Sequence, residues 1–313
     1  MPDKDDMRWF KQQFHEKINA AVVNTPFSLD FMTALACQET GEVWPKLRKK
    51  DLSVDRILDL CVGDTIDGRS AFPRSKAELV AAPNGQKMFD IARAALVDMA
   101  QFITDYQKVA QNPDKFCHGF GIFQYDIQFF KNEDPDYFLQ RRYTSFDASL
   151  GKALSELKSA AKKIGLHTKP ALSDMEMTFV AIAYNTGGFN PAKGLKQGFR
   201  PKDKNGIPVG LFYGEQTFQF IQTSKTVPVD DAGPAPTPDP AGLRLKVTST
   251  DPLRLRNEAV IDPTNANVLT RLPNGHVVSA TTNQVVNGFL EVETDFDGKH
   301  FKGFASAQLL KQV

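Results

Sequence analysis

Cysteine is scarce: the 313 residues hold only Cys37, Cys61 and Cys117. An odd and thin supply does not build an oxidised scaffold, so these are read as buried thiols, with one disulfide as the alternative. No apolar run approaches the roughly 18 residues of a membrane-spanning helix, which excludes insertion of that kind. Charge of one sign is also lacking. Lys plus Arg count 38 against 37 for Asp plus Glu, and a net charge of +1 supplies no global field to draw the chain to nucleic acid or an anionic bilayer. Gly and Pro, 21 and 19, are too few for a collagen-like or low-complexity chain. The first residues lack the positive and apolar regions of a Sec-type leader, because Asp3, Asp5 and Asp6 stand there.

What is present is an ordinary globular composition, 41% hydrophobic and 24% charged, long enough for about two domains. The clearest boundary is residues 225–242, KTVPVDDAGPAPTPDPAG, a Pro-rich spacer without apolar periodicity. Before it the period is helical. Met88, Ile91, Ala95, Met99, Phe102, Tyr106 and Ala110 keep one face of a long helix from Gln86 to Gln111. Leu150, Leu154, Leu157, Ala161 and Ile164 mark another with Ser145 as N-cap, and the capping box SDME opens a third at Ser173 that is apolar nearly all round. After the spacer the period is two. LRLKV, LRLRN, VLTRL, HVVSA, FLEVE and HFKGFA predict five or six short strands, parted by turns at Asp251-Pro252, Pro273-Asn274-Gly275, Asn287-Gly288 and Asp297-Gly298. The expected fold class is therefore α+β and multidomain, with a mainly helical domain over 1–224, a linker over 225–242 and a small all-β barrel over 243–313.

The chemistry concentrates in three segments. In SLDFMTALACQETGEVW, Ser28 is an N-cap candidate, and Leu29, Met32 and Ala36 lead along one stripe to Glu39, just before Gly41 stops the helix. A carboxyl half enclosed by apolar side chains has a raised pKa, as a general acid near neutrality requires. A fraying last turn with Glu39 pointing outward is the plainer alternative. HGFGIFQYD, residues 118–126, reads as a short glycine-rich strand lining a cleft and ending in Gln124 and Asp126. AYNTGG, residues 183–188, closes the all-apolar helix with a phenol, an amide and two glycines, either a simple helix end or polar groups awaiting a substrate.

The order ETG, GFGIFQYD, AYNTGG resembles the lysozyme-like superfamily, the goose-type lysozymes and soluble lytic transglycosylases. Their outline is a helix ending in E-S/T, a G-x-x-Q strand and an A-Y-N-x-G helix end, matched here over roughly residues 28–188. The resemblance implies a lysozyme-like domain in which Glu39 is the catalytic acid, Gly121 and Gln124 form the G-x-x-Q pair, and Tyr184 and Asn185 line the site beside the acid. An Asp two residues beyond that Gln is a goose-type feature, so Asp126 is the implied base and hydrolysis the implied reaction. Asp64 and Asp67, in CVGDTIDGR, are the other candidates for the base, or caps of a turn. LRLRNEAV, VLTRLPNGHVVSA, NGFLEVET and KGFASAQLL resemble the bacterial SH3-like (SH3b) module over Leu243 to Val313, with Phe289 and Phe304 where Trp is usual.

Together the resemblances imply a muramidase cutting the β-1,4 bond between N-acetylmuramic acid and N-acetylglucosamine, joined to a wall-binding module. A lytic transglycosylase giving 1,6-anhydro products and a non-catalytic wall-binding protein are the alternatives. The expected partner is peptidoglycan. Without a Sec leader the protein reaches the wall of a bacterium by lysis or through a specialised secretion system, and in the second case a cognate immunity protein is a further expected partner. No nucleic acid, membrane insertion, cofactor or metal is expected; His118 has no second His or Cys at ligand spacing for zinc. Two features depart from the family outline. A helical insertion occupies about residues 50–117, and NPAKGLKQGFRPKDK carries Lys193, Lys196, Arg200, Lys202 and Lys204, either a solvated basic loop or a contact for anionic glycan or peptide carboxylates.

Overall fold

The structure, a computed structural model, describes residues 1–50, 52–65, 71–229, 243–262, 264–286 and 288–313. The chain divides into two units, Met1–Asp231 and Ala232–Val313, the first helical and the second built on an antiparallel sheet. Asp67 and most of the Pro-rich segment, residues 230–242, lie outside the described residues.

The helical unit contains α1 (Lys4–Val22), α2 (Leu29–Thr40), α3 (Trp44–Leu47), α4 (Val54–Asp59), α5 (Lys76–Val80), α6 (Gly85–Ala100), α7 (Thr104–Ala110), α8 (Pro135–Leu139), α9 (Phe146–Lys163), α10 (Asp174–Thr186) and α11 (Tyr213–Lys225). Local chemistry sets several starts. Ser28 caps α2, Ser145 caps α9, and Ser173 with Glu176 forms the capping box of α10. Gly187, at φ +77°, ends α10 in the left-handed cap that glycine adopts without penalty. Gly41 ends α2 differently, with right-handed backbone, because the chain turns there without a left-handed residue.

Helix α2 lies at the centre, packed against α1, α10 and α11. Phe31, Met32, Ala34, Leu35 and Ala36 are fully buried, so its apolar character on several sides matches its place inside a helical cage. Lys11 of α1 closes that cage. It is 3% exposed, and its ammonium donates to Asp30 at 2.7 Å, to the Ser224 carbonyl at 2.8 Å and to the Val227 carbonyl at 2.7 Å, using all three donors. Val227 is itself buried, so the core of this unit runs past residue 224.

The expected helix from Gln86 to Gln111 is two helices. The backbone leaves α6 at Gln101 and becomes extended at Ile103, which is 1% exposed. Of the expected face only Met88 and Met99 are buried: the buried side of α6 runs through Met88, Phe89, Ala92, Leu96 and Met99, and α7 buries none of its residues. The 118–126 segment is likewise a hairpin rather than one strand. It holds β2 (Gly119–Phe120) and β3 (Tyr125–Asp126), and β1 (Val62–Gly63) pairs with β2 to complete a small antiparallel sheet with the register Gly63, Gly119, Asp126 across it.

Among its described residues the second unit has seven strands: β4 (Arg244–Val247), β5 (Leu253–Arg256), β6 (Val268–Leu272), β7 (Val277–Val286), β8 (Phe289–Phe296), β9 (Lys299–Ser306) and β10 (Leu310–Gln312). They form one antiparallel sheet in the order β10, β4, β7, β8, β9, β5, β6. Among the described residues no pairing joins the outer strands β10 and β6, so the expected barrel is an open sheet here, with β10 as a strand the periodicity did not announce. Alternation places Leu245, Val247, Leu253, Leu255, Val278, Ala280, Leu290 and Val292 in one small core. The β8–β9 hairpin turns on Asp297 at φ +52° and Gly298 at φ +73°, the two positive angles that a tight turn of this hand requires. Arg256 is 4% exposed and donates to Asn267 Oδ1 at 2.6 Å, so its charge is buried with a partner.

Candidate active site

The three segments singled out from the sequence meet around the four-residue turn between β2 and β3. Gly121 O accepts from the Gln124 backbone N–H at 2.9 Å and from its Nε2 at 2.8 Å. Thr40 Oγ1, at the end of α2, donates to Ile122 O at 2.7 Å, and the Tyr184 hydroxyl, near the end of α10, donates to Phe123 O at 2.6 Å. Carbonyls that a tight turn leaves without sheet partners are thus taken by two helix ends and by the turn's own glutamine, which pins helices and hairpin into one wall.

This turn depends on glycine in specific places. Gly121 has φ +81°, and a Cβ there would stand 2.6 Å from Ser149 Oγ. Gln124, at φ +54°, folds back across the sheet, where a Cβ on Gly119 would lie 2.2 Å from its Oε1 and one on Gly63 at 2.9 Å. The bare backbones of β1 and β2 are the bed on which the Gln124 side chain rests.

A cleft of ≈ 610 Å³ opens beside this wall, and Glu39, Asp64, Gln124, Asp126, Tyr184 and Asn185 all line it. Gly121 does not line it; its place is behind the wall, where it makes the turn. Glu39 is half-buried at the end of the apolar stripe of α2. Desolvation drives its carboxyl from 4.5 up to about 7, and a hydrogen bond from the Tyr213 hydroxyl to Oε1, at 2.6 Å, pulls in the opposite direction without cancelling it. Burial and then the nearby Glu39 charge push the Tyr184 and Tyr213 phenols well above their ordinary value, so both remain hydrogen-bond donors. Asp64 sits at the end of β1 with φ +47°, its carbonyl accepting from the His118 N–H at 2.7 Å, so it serves the turn and faces the cleft at once. Asp126 caps the short 3₁₀ turn that follows β3, its Oδ1 accepting from the Gln128 N–H at 2.8 Å.

Several groups at the cleft were not expected. Tyr213, the first residue of α11, has no local signature that ties it to a carboxylate 174 positions earlier in the chain. Tyr106 of α7 lines the cleft near Gly63, and burial raises its phenol to about 12, so the insertion contributes to the site directly. Glu156 of α9 is a further lining carboxyl, raised by burial and then by the Glu133 charge. The i, i+3, i+4 pattern of α9 marks its buried face, and a polar residue at the edge of that face was the signal available for Glu156.

No family model, curated protein or solved structure matches the chain. The geometry alone therefore carries the chemical argument. Among the described residues no group of three or more His, Cys, Asp or Glu is arranged to hold a metal ion, and no helix is long and apolar enough to cross a membrane. The described cysteines are free and buried. His118 is buried with its ring stacked on Phe116 at 4.6 Å. What the cleft offers is proton chemistry: one carboxyl protonated near neutrality, and further carboxyl groups along the same surface.

Proposed function

We propose that this protein is a peptidoglycan glycan-strand hydrolase, a muramidase acting on the β-1,4 bond between N-acetylmuramic acid and N-acetylglucosamine, with a lysozyme-like helical unit. The observation that carries the reading is Glu39: a carboxyl at the end of α2, raised to about 7, held through one oxygen and facing a cleft that Asp64 and Asp126 share. Because Oε1 accepts from Tyr213, the acidic proton sits on Oε2 and passes from there to the glycosidic oxygen as the bond to the anomeric carbon breaks. The carboxylate left behind keeps the Tyr213 hydrogen bond. Asp126 takes a proton from a water that attacks the anomeric carbon, the division of labour used by inverting glycosidases. The meeting of Glu39, Gln124, Tyr184 and Asn185 at one cleft supports the resemblance to goose-type lysozymes.

The same reading makes the second unit an SH3-like module that holds wall material and raises the local concentration of substrate. Its short antiparallel strands and tight hairpins support that assignment. The proposed site of action is the bacterial wall, with an immunity protein as a further partner.

Mass spectrometry of digested, purified sacculi tests the function. Reducing-end muropeptides are expected from the native protein, and Glu39→Gln should lower their yield by about 10²–10⁴-fold with an unchanged circular dichroism spectrum. Products that all carry 1,6-anhydro ends would replace hydrolysis by transglycosylation, and no products at all would leave a binding protein.

A further inference from the structure

Phe199 is 63% exposed, and it lines the cleft together with Pro201. Leaving an aromatic ring in water forgoes the burial that aromatic side chains ordinarily find, and nothing in the packing of the helical core uses this one. The backbone that carries it is nevertheless fixed. Phe199 O accepts from the Tyr213 N–H at 2.8 Å, and Gln197 O accepts from the Gly214 N–H at 3.1 Å. The preceding Gly198 has φ +82°, and a Cβ there would meet Tyr213 Cβ at 2.6 Å and Asn185 Oδ1 at 3.0 Å. The residue whose hydroxyl holds Glu39 therefore also holds the backbone of Phe199. An exposed ring on a fixed support, next to the exposed amide of Asn185 and tied through one residue to the acid, is an apolar platform with polar neighbours.

We propose that Phe199 is a sugar-stacking residue that binds a pyranose ring of the glycan beside Glu39. The proposal rests on the function given above. A pyranose ring presents axial C–H groups on one face and hydroxyl or acetamido groups at its edge. The slightly positive C–H groups suit the negative face of a phenyl ring, while the edge reaches the amide of Asn185. Tyr213 would then set both the acid and the ring that positions the sugar, which explains why its side chain and its main chain are both engaged.

Binding of the N-acetylglucosamine hexamer and of peptide-free peptidoglycan strands to the full-length Glu39→Gln protein, which removes cleavage from the readout, tests this. Phe199→Ala should weaken binding of either glycan about tenfold. Phe199→Trp should restore binding and add an indole emission that shifts on saturation, against the constant background of Trp9 and Trp44, which do not line the cleft. In the cleaving enzyme, Phe199→Ala should raise KM more than it lowers kcat. Affinity within twofold of the parent for Phe199→Ala, or an indole emission in Phe199→Trp that does not respond to saturating glycan, would overturn the assignment. So would a loss of adsorption to anionic phospholipid vesicles in place of glycan. Failure of the parent protein to bind or cleave any glycan would instead remove the proposed function itself, and that result is read before any Phe199 variant is made.

Discussion

The two walls of the cleft hold their carboxylates in opposite ways. On the helical wall, Glu39 projects from a buried helix and loses water, which raises its pKa to about 7 against the opposing pull of a hydrogen bond from Tyr213, 174 positions away. On the strand wall, Asp126 and Asp64 sit at strand ends and serve turns a few residues away, Asp126 through the Gln128 N–H and Asp64 through a left-handed backbone angle. Long-range packing makes a proton donor, and local turn chemistry places carboxylates. A reaction that needs an acid and a base near neutrality uses both kinds of environment.

Substitutions that exchange the properties of the walls sharpen this contrast. The largest effect on the strand wall is expected at Asp126→Asn, which keeps the shape and the turn but cannot accept a proton; hydrolysis of sacculi should fall by at least about 10²-fold, followed as released reducing ends. Should the rate hold, the base lies elsewhere on the strand wall, and Asp64→Asn is the next variant to measure.

Glu39→Gln should change stability in a direction unusual for a substitution at an active site. A carboxyl whose folded pKa of about 7 exceeds its unfolded 4.5 contributes stability that is fully present below pH 4.5 and is lost as pH rises through 7. Replacing it by an amide removes that loss, so urea unfolding at pH 8 should find the variant more stable by about 1–3 kcal/mol, with the gain vanishing near pH 4.

Tyr213→Phe isolates the hydrogen bond that favours the ionised acid. Without it the pKa of Glu39 should climb further, moving the alkaline limb of the pH–rate profile upward by about one unit. A limb that stays in place would mean that Tyr213 only fills space. The smallest effect is expected at Thr40→Val, which unties α2 from Ile122 O and leaves that carbonyl buried: about 1 kcal/mol of stability by thermal unfolding and a several-fold loss of rate.

The contrast between the walls also explains what was legible in the sequence. Glu39, Gln124 and Tyr184 belong to local patterns, a helix stripe, a glycine turn and a helix end, and each is found at the cleft. Tyr213 is not signalled in this way, because its tie to Glu39 arises where distant helices pack. The helical periodicity from Met88 to Ala110 found helix but not its buried side, which runs through Phe89, Ala92 and Leu96 beside Met88 and Met99, and it is blind to the extended residue at Ile103 that divides the segment between α6 and α7. In the second unit, alternation located six strands. It carries no information on whether β6 and β10 meet, because pairing across the ends of a sheet depends on twist and register rather than on the pattern within a strand.

The buried ammonium of Lys11 has a mechanical consequence. It grips the Ser224 and Val227 carbonyls at the far end of the helix whose first residue, Tyr213, holds the acid. If a wall-bound second unit pulls on the chain as the glycan mesh moves, the load enters the helical unit at Val227 and is resisted there, between α1 and Asp30, before it travels along α11. Under the proposed function, a pull on the wall-binding unit would then leave the proton donor at rest.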